Sequence, residues 1–125
     1  MSAKTPEECD SLFAEYVNEG DVDELVQLYE EDGVLVQQDG SCARGPEAIR
    51  HALEPMVSTR PRLRMNVVRT ITAGDGLAIL YNDWTMNGHG PDGSVLELHG
   101  KAVEVVRRQP DGSWLFVVDD PFARG

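Results

Sequence analysis

Apolar residues in the first half of the chain recur with the period of a helix, and in the second half with a period of two. Cys9, Leu12, Phe13, Tyr16 and Val17 fall at i, i+3, i+4, i+7 and i+8, which gathers them onto one buried stripe. Thr5-Pro6-Glu7-Glu8 in front of them reads as a capping box, with Thr5 as N-cap and Pro6 at the first helical position, and Gly20 ends that helix. Asp21, with Glu24 three residues on, caps a second helix whose apolar side is Val22, Leu25, Val26, Leu28 and Tyr29 and which Gly33 closes. Val34, Leu35 and Val36 form a short strand, and residues 37–44 a polar loop around Asp39-Gly40. Gly45-Pro46-Glu47 opens a third helix with Ala48, Ile49, Ala52, Leu53, Met56 and Val57 on its core face. Pro55 should kink or stop it near its end.

From Arg62 the alternation becomes that of strands. Leu63, Met65, Val67, Ile71 and Ala73 share one face of a long strand, which Gly74-Asp75-Gly76 turns. Residues 77–86 form the next strand, 87–94 a loop, 95–108 a third long strand, and 114–119 the last. In the third the apolar phase passes from Leu96 and Leu98 to Val103 and Val105, which predicts a β-bulge near Gly100. Helices followed by strands make an α+β domain, a curved antiparallel sheet wrapped around N-terminal helices and able to enclose a pocket. Several strands are apolar on both faces, although helices cover only one, so a symmetric homodimer packed through the sheet is expected.

Composition narrows the class. At 125 residues the chain fits one domain, and 41% apolar residues are enough for a core. The net charge of -11 repels phosphate backbones and anionic lipid, so neither nucleic acid nor membrane is an expected partner. With no apolar leader and no stretch of membrane-spanning length, the expected location is cytoplasmic, and Cys9 and Cys42 are expected as free thiols.

Gly88-His89-Gly90-Pro91-Asp92-Gly93 matches a dinucleotide-binding string but is followed by a strand where that motif needs a helix, so it reads as a hairpin loop. The three histidines have no metal-ligand spacing, and neither metal nor cofactor is expected. Ionisable groups set among strand apolars are the better candidates, because a dry site shifts their proton affinity. Asp119 ends the most apolar strand, His99 sits beside the expected bulge, and Asp83 adjoins Trp84. Phe13, Tyr16 and Trp84 are candidate pocket walls.

Tyr16-Val17-Asn18-Glu19-Gly20-Asp21-Val22-Asp23, then Leu28-Tyr29, then Arg44-Gly45-Pro46-Glu47-Ala48-Ile49-Arg50, then Trp114-Leu115-Phe116-Val117-Val118-Asp119-Asp120-Pro121-Phe122 resemble the SnoaL-like, ketosteroid isomerase-like (nuclear transport factor 2-like) superfamily. The resemblance covers nearly the whole chain. It implies a cystatin-like cone of three helices against a curved sheet, a ligand cavity at the open end and a dimer through the sheet. Ketosteroid isomerases use an aspartate base with a tyrosine and a protonated aspartic acid as oxyanion donors. Ungapped matching puts Gln37 at the place of the base and Phe13 at the place of the tyrosine. Asp39 would serve as base only if the loop slipped by two residues, so steroid isomerisation by that route is not expected.

The functional expectation is therefore a small dimeric pocket protein for an apolar or aromatic metabolite, acting on it without a cofactor as an acid/base isomerase, cyclase or dehydratase. Asp119, His99 and Asp39 are the candidate catalytic residues, and Phe13, Tyr16, Trp84 and Asp83 the candidate ligand contacts. The alternative is a non-catalytic ligand-binding or protein-interaction domain on the same fold.

Overall fold

The computed structural model describes residues 2–125. In chain order it contains α1 (Pro6–Glu19), α2 (Val22–Gln27), β1 (Tyr29–Val36), β2 (Cys42–Arg44), α3 (Gly45–Ser58), β3 (Arg62–Ala73), β4 (Leu77–His89), β5 (Val95–Arg108) and β6 (Trp114–Asp120). The six strands form one sheet in the order β2-β1-β6-β5-β4-β3, curved over the helices, and β1 runs parallel to β6 while every other pair is antiparallel. The architecture is the expected α+β one.

Local chemistry explains the first helix. Thr5 accepts the Glu8 N–H and Gly20 closes the helix with a left-handed φ of 77°, which a side chain would resist. Glu8 reaches back to the Lys4 N–H at 2.8 Å, one residue beyond the cap itself. The stripe from Cys9 to Val17 is buried and packs on the sheet, with Phe13 meeting Phe116 edge to face at 6.1 Å.

The structure departs from the sequence pattern in several places. The second helix stops at Gln27, since Leu28 and Tyr29 are drawn into parallel pairing with β6: the Phe116 N–H donates to Leu28 O at 2.8 Å. Gly33 therefore ends no helix. It lies in β1 at a register shift, where a Cβ would stand 2.9 Å from Glu30 O. Residues 42–44, expected as loop, pair with β1 behind a tight turn in which the Asp39 carboxylate accepts the Ser41 N–H and hydroxyl. α3 continues through Pro55 and ends one turn later, at Ser58.

The remaining departures concern which way side chains face. β3 carries an extra residue at Val68, so Leu63, Met65 and Val67 point inward while Ile71 and Ala73 fall on the outer face. No bulge occurs at Gly100: β4 and β5 pair without interruption from Leu77↔Arg107 to His89↔Val95. Leu98, Gly100, Ala102, Glu104 and Val106 of β5 point inward, and Val103 and Val105 face outward. Gly100 is glycine for space, because a Cβ there would lie 2.7 Å from the Trp84 indole. The bulge is instead in β6, where Val105↔Val118 and Val106↔Phe116 leave Val117 as the extra residue. It turns Asp119 onto the same inner face as Phe116.

On the outer face Ile79, Tyr81, Val103, Val105 and Leu115 are half-buried, and Val68, Ile71 and Leu77 are exposed. A second copy packed through the sheet would lie here. Among the described residues no helix is long and apolar enough to cross a membrane. Cys9 and Cys42 are free thiols, the first buried and the second exposed.

Candidate active site

Between the inner face of the sheet and the helices lies a cavity of about 280 Å³. Its walls are apolar: Phe13 from α1, Leu53 and Met56 from α3, Leu63 and Met65 from β3, and Trp84 and Met86 from β4. The C-terminal turn closes one side, where Phe122 meets Trp84 edge to face at 5.3 Å and the Trp84 indole N–H donates to Pro121 O at 2.8 Å. Four polar side chains reach the cavity. Gln37 and Gln38 come from the loop after β1, and Glu104 and Asp119 from facing positions on β5 and β6. No Lys, Arg or His is among the lining residues.

The two carboxyls belong to a larger buried set. The Tyr29 hydroxyl, at the start of β1, donates to Asp119 Oδ2 at 2.6 Å. Glu104 lies beside both Asp119, which it faces across the β5–β6 pairing, and Asp10, and Asn82 Nδ2 donates to Asp10 Oδ2 at 3.0 Å. Asp10, Asn82, Glu104 and Asp119 are each at most 3% exposed. The series runs from α1 through β5 and β6 to β1, with no cation in it. Among the described residues no group of three or more His, Cys, Asp or Glu is arranged to hold a metal ion.

Burial without a cation governs the protons. Removal from water, reinforced by the charge of Asp10, pushes the Asp119 carboxyl up to about 7 in spite of the Tyr29 hydrogen bond. Burial and the Asp10 contact hold Glu104 well above the ordinary carboxylate range. Burial raises Asp10 too, against the hydrogen bonds from Glu104 and Asn82. Tyr29, raised by burial and by Asp119, keeps its O–H. The cavity therefore presents two carboxyls of raised proton affinity, and Asp119 lies near neutrality, where it readily takes or releases a hydrogen.

The residues singled out in the sequence divide accordingly. Asp119, Phe13 and Trp84 line the cavity. Tyr16 is buried in the core outside the lining, one helical turn beyond Phe13. His99 faces outward on β5, exposed in a shallow concavity with Arg64, Asp83 and Lys101, because the expected bulge that would have turned it inward is absent. Asp83 shares that outer face and pairs with Arg124 at 3.3 Å. Asp39 is exposed at the tip of the β1–β2 turn, committed to Ser41, while Gln37 occupies the cavity wall. Asp10, Tyr29, Asn82 and Glu104 belong to the buried set without being among the sequence candidates. Their signal was present: Asp10, Phe13 and Val17 share a helical stripe, and Asn82 and Glu104 keep step with Leu80 and Trp84, and with Ala102 and Val106, on the inward faces of β4 and β5.

Solved structures share this fold. A conserved protein from Planctomyces limnophilus superposes with a TM-score of 0.83 at 19% identity, covering 93% of this chain and 91% of that one. A ketosteroid isomerase-like protein from Erwinia carotovora atroseptica gives 0.80 at 15% identity, covering 91% and 89%. A nuclear transport factor 2-like protein with a cystatin-like fold from Novosphingobium aromaticivorans gives 0.77 at 18% identity, covering 94% and 79%. No curated protein sequence gives a significant match. The model of the SnoaL-like domain family matches residues 11–117, and the chain, a small pocket-bearing α+β domain, belongs to that family.

Proposed function

We propose that this protein is a cofactor-independent acid/base catalyst that moves a proton within an uncharged, apolar carbonyl compound bound in the cavity. The observation that carries the reading is the pair of facing cavity carboxyls with no cation beside them: Asp119, anchored by Tyr29, near neutrality, and Glu104, which burial and Asp10 hold well above the ordinary carboxylate range. An apolar cavity of about 150 Å³ holds a benzene ring, so 280 Å³ has room for a guest of bicyclic size. A lining without cations disfavours anionic guests. In the reaction the C–H bond next to the carbonyl breaks, the hydrogen passes to Asp119 and the electron pair moves toward the carbonyl oxygen, where the Glu104 hydroxyl offers a hydrogen bond. Return of the hydrogen from Asp119 to a second carbon of the conjugated system completes an isomerisation.

The test uses 2-tetralone in D2O, with loss of its α-proton signal followed by NMR. The wild-type protein should accelerate exchange well beyond buffer, and Asp119→Asn should lose about a hundredfold or more of that acceleration. No acceleration of 2-tetralone exchange by the folded wild-type protein, or full acceleration by Asp119→Asn, overturns the proposal. Binding of the ketone, read as a rise in melting temperature, without exchange selects a receptor on the same fold.

A further inference from the structure

We infer that Asp10, which reaches no part of the cavity, is a positioning residue that decides which of the two cavity carboxyls offers a hydrogen and which accepts one. The inference rests on the proton-transfer reading above and goes one layer behind it.

The geometry is specific. α1 carries Asp10 on the stripe that faces the sheet, at 1% exposure, and the Asp10 carboxyl meets that of Glu104. Asp10 Oδ1 and Glu104 Oε1 are both inaccessible, and neither receives an N–H or hydroxyl hydrogen from another side chain or the backbone. Two bare carboxylates in contact would repel, whereas one hydrogen held between them turns the contact into a strong, charge-assisted bond. The pair therefore holds one proton and one negative charge. Asn82 settles where the charge sits, because its N–H is given to Asp10 and none is given to Glu104. Asp10 becomes the carboxylate and Glu104 keeps the hydrogen, which rotation about one C–O bond aims at Asp10 or at a guest oxygen.

Nothing around the pair upsets this division. The titratable groups that face it are Glu7 and the Cys9 thiol from α1, Asp119 from β6, and Tyr29 from β1. None is a cation, and burial pushes the Cys9 thiol up to about 12. With Asp10 charged behind it, Glu104 remains the acid, and Asp119 is left as the acceptor. Removing that charge and presenting an amide hydrogen in its place would lower the proton affinity of Glu104, which burial alone would then raise, and so weaken Glu104 as the acid.

The test is Asp10→Asn, of nearly the same volume, read in two ways on the whole protein. In the first, 13C-labelled glutamate carboxyls are titrated by NMR: Glu104 should keep its hydrogen through neutral pH in the wild type and ionise at lower pH in the variant. In the second, 2-tetralone exchange is followed against pH. Asp10→Asn should pull the alkaline limb of the profile down toward neutrality and slow exchange about tenfold or more. In a Glu104→Gln background, where the amide offers its hydrogen whatever lies behind it, the same substitution should change exchange little, an outcome that a merely structural role for Asp10 would not give. An unchanged Glu104 titration, or an equal effect of Asp10→Asn in both backgrounds, overturns the inference. Absence of exchange by the wild type overturns the proton-transfer reading, and the Glu104 titration still decides the claim for Asp10.

Discussion

Replacing Asp119 by Asn should stabilise the protein at neutral and alkaline pH while abolishing the proposed chemistry, and the size of the gain follows from the carboxyl's surroundings. Asn fills the same space, and its amide oxygen can still accept the Tyr29 hydroxyl that Asp119 accepts at 2.6 Å. What changes is the proton. Folding raises the affinity of Asp119 for its hydrogen from the ordinary value of 3.8 to about 7. Between those two values the folded protein holds the hydrogen and the unfolded chain has lost it, so stability falls as pH rises through the window and then levels off. About three pH units at 1.36 kcal/mol each amounts to roughly 4 kcal/mol, an order-of-magnitude figure for a fully enclosed group. Asp119→Asn removes this loss. Urea denaturation of both proteins from about pH 4 to pH 8 should give nearly equal stability at the acid end and a difference of about 4 kcal/mol in favour of the variant at the alkaline end. The exposed carboxylates held low by serine contacts, Asp39, Asp92 and Asp111, titrate alike in both proteins and cancel. Parallel curves across the range would refute the reasoning, since they would mean that Asp119 ionises as freely folded as unfolded.

Two further outcomes test the packing of the fold. Gly100→Ala places a methyl 2.7 Å from the Trp84 ring, so it should cost about 1–3 kcal/mol by overpacking and shift the tryptophan emission; an unchanged spectrum at wild-type stability would refute the packing. A thiol reagent should label one cysteine, Cys42, in the native protein and both after unfolding, because Cys9 is buried with its thiol pushed up to about 12; two fast equivalents in the native state would contradict that burial.

The elements were legible because their signals are local. Thr5 and Glu8 start a helix, Gly20 ends it, and the apolar period passes from helical to two near Arg62. The site was less legible because it depends on which way strand residues face, and one extra residue reverses that for everything beyond it. Counted by alternation alone, Phe116 and Asp119 fall on opposite faces of β6; the extra residue at Val117 puts them on the same one. In β5 the error ran the other way. Taking Val103 and Val105 as core implied a bulge at Gly100 and sent Glu104 to solvent, whereas unbroken pairing makes Ala102, Glu104 and Val106 the inner residues. Valine is common on an outer sheet face, and a glutamate among inward positions is the rarer and more telling event. Tyr29 was hidden by a helix pattern that parallel pairing with β6 cuts short at Gln27.

The energetic sign of this cluster argues for its purpose. Three carboxyls enclosed together without a cation do not strengthen a fold: each must be desolvated, and the charge of one opposes ionisation of the next. Apolar or amide side chains of similar size at positions 10, 104 and 119 would build a firmer core, as the expected gain from Asp119→Asn states in numbers. Three elements that meet only in the finished fold nevertheless bring these groups together, two of them, Glu104 and Asp119, on the wall of a mostly apolar cavity and Asp10 behind them. A partly unsatisfied polar cluster is a stability loss that the proposed function accounts for, since substitutions that relieve it are chemically simple. The same dryness that makes the cluster costly brings Asp119 near neutrality, where a carboxyl is strong enough to take a proton from carbon and still weak enough to return it.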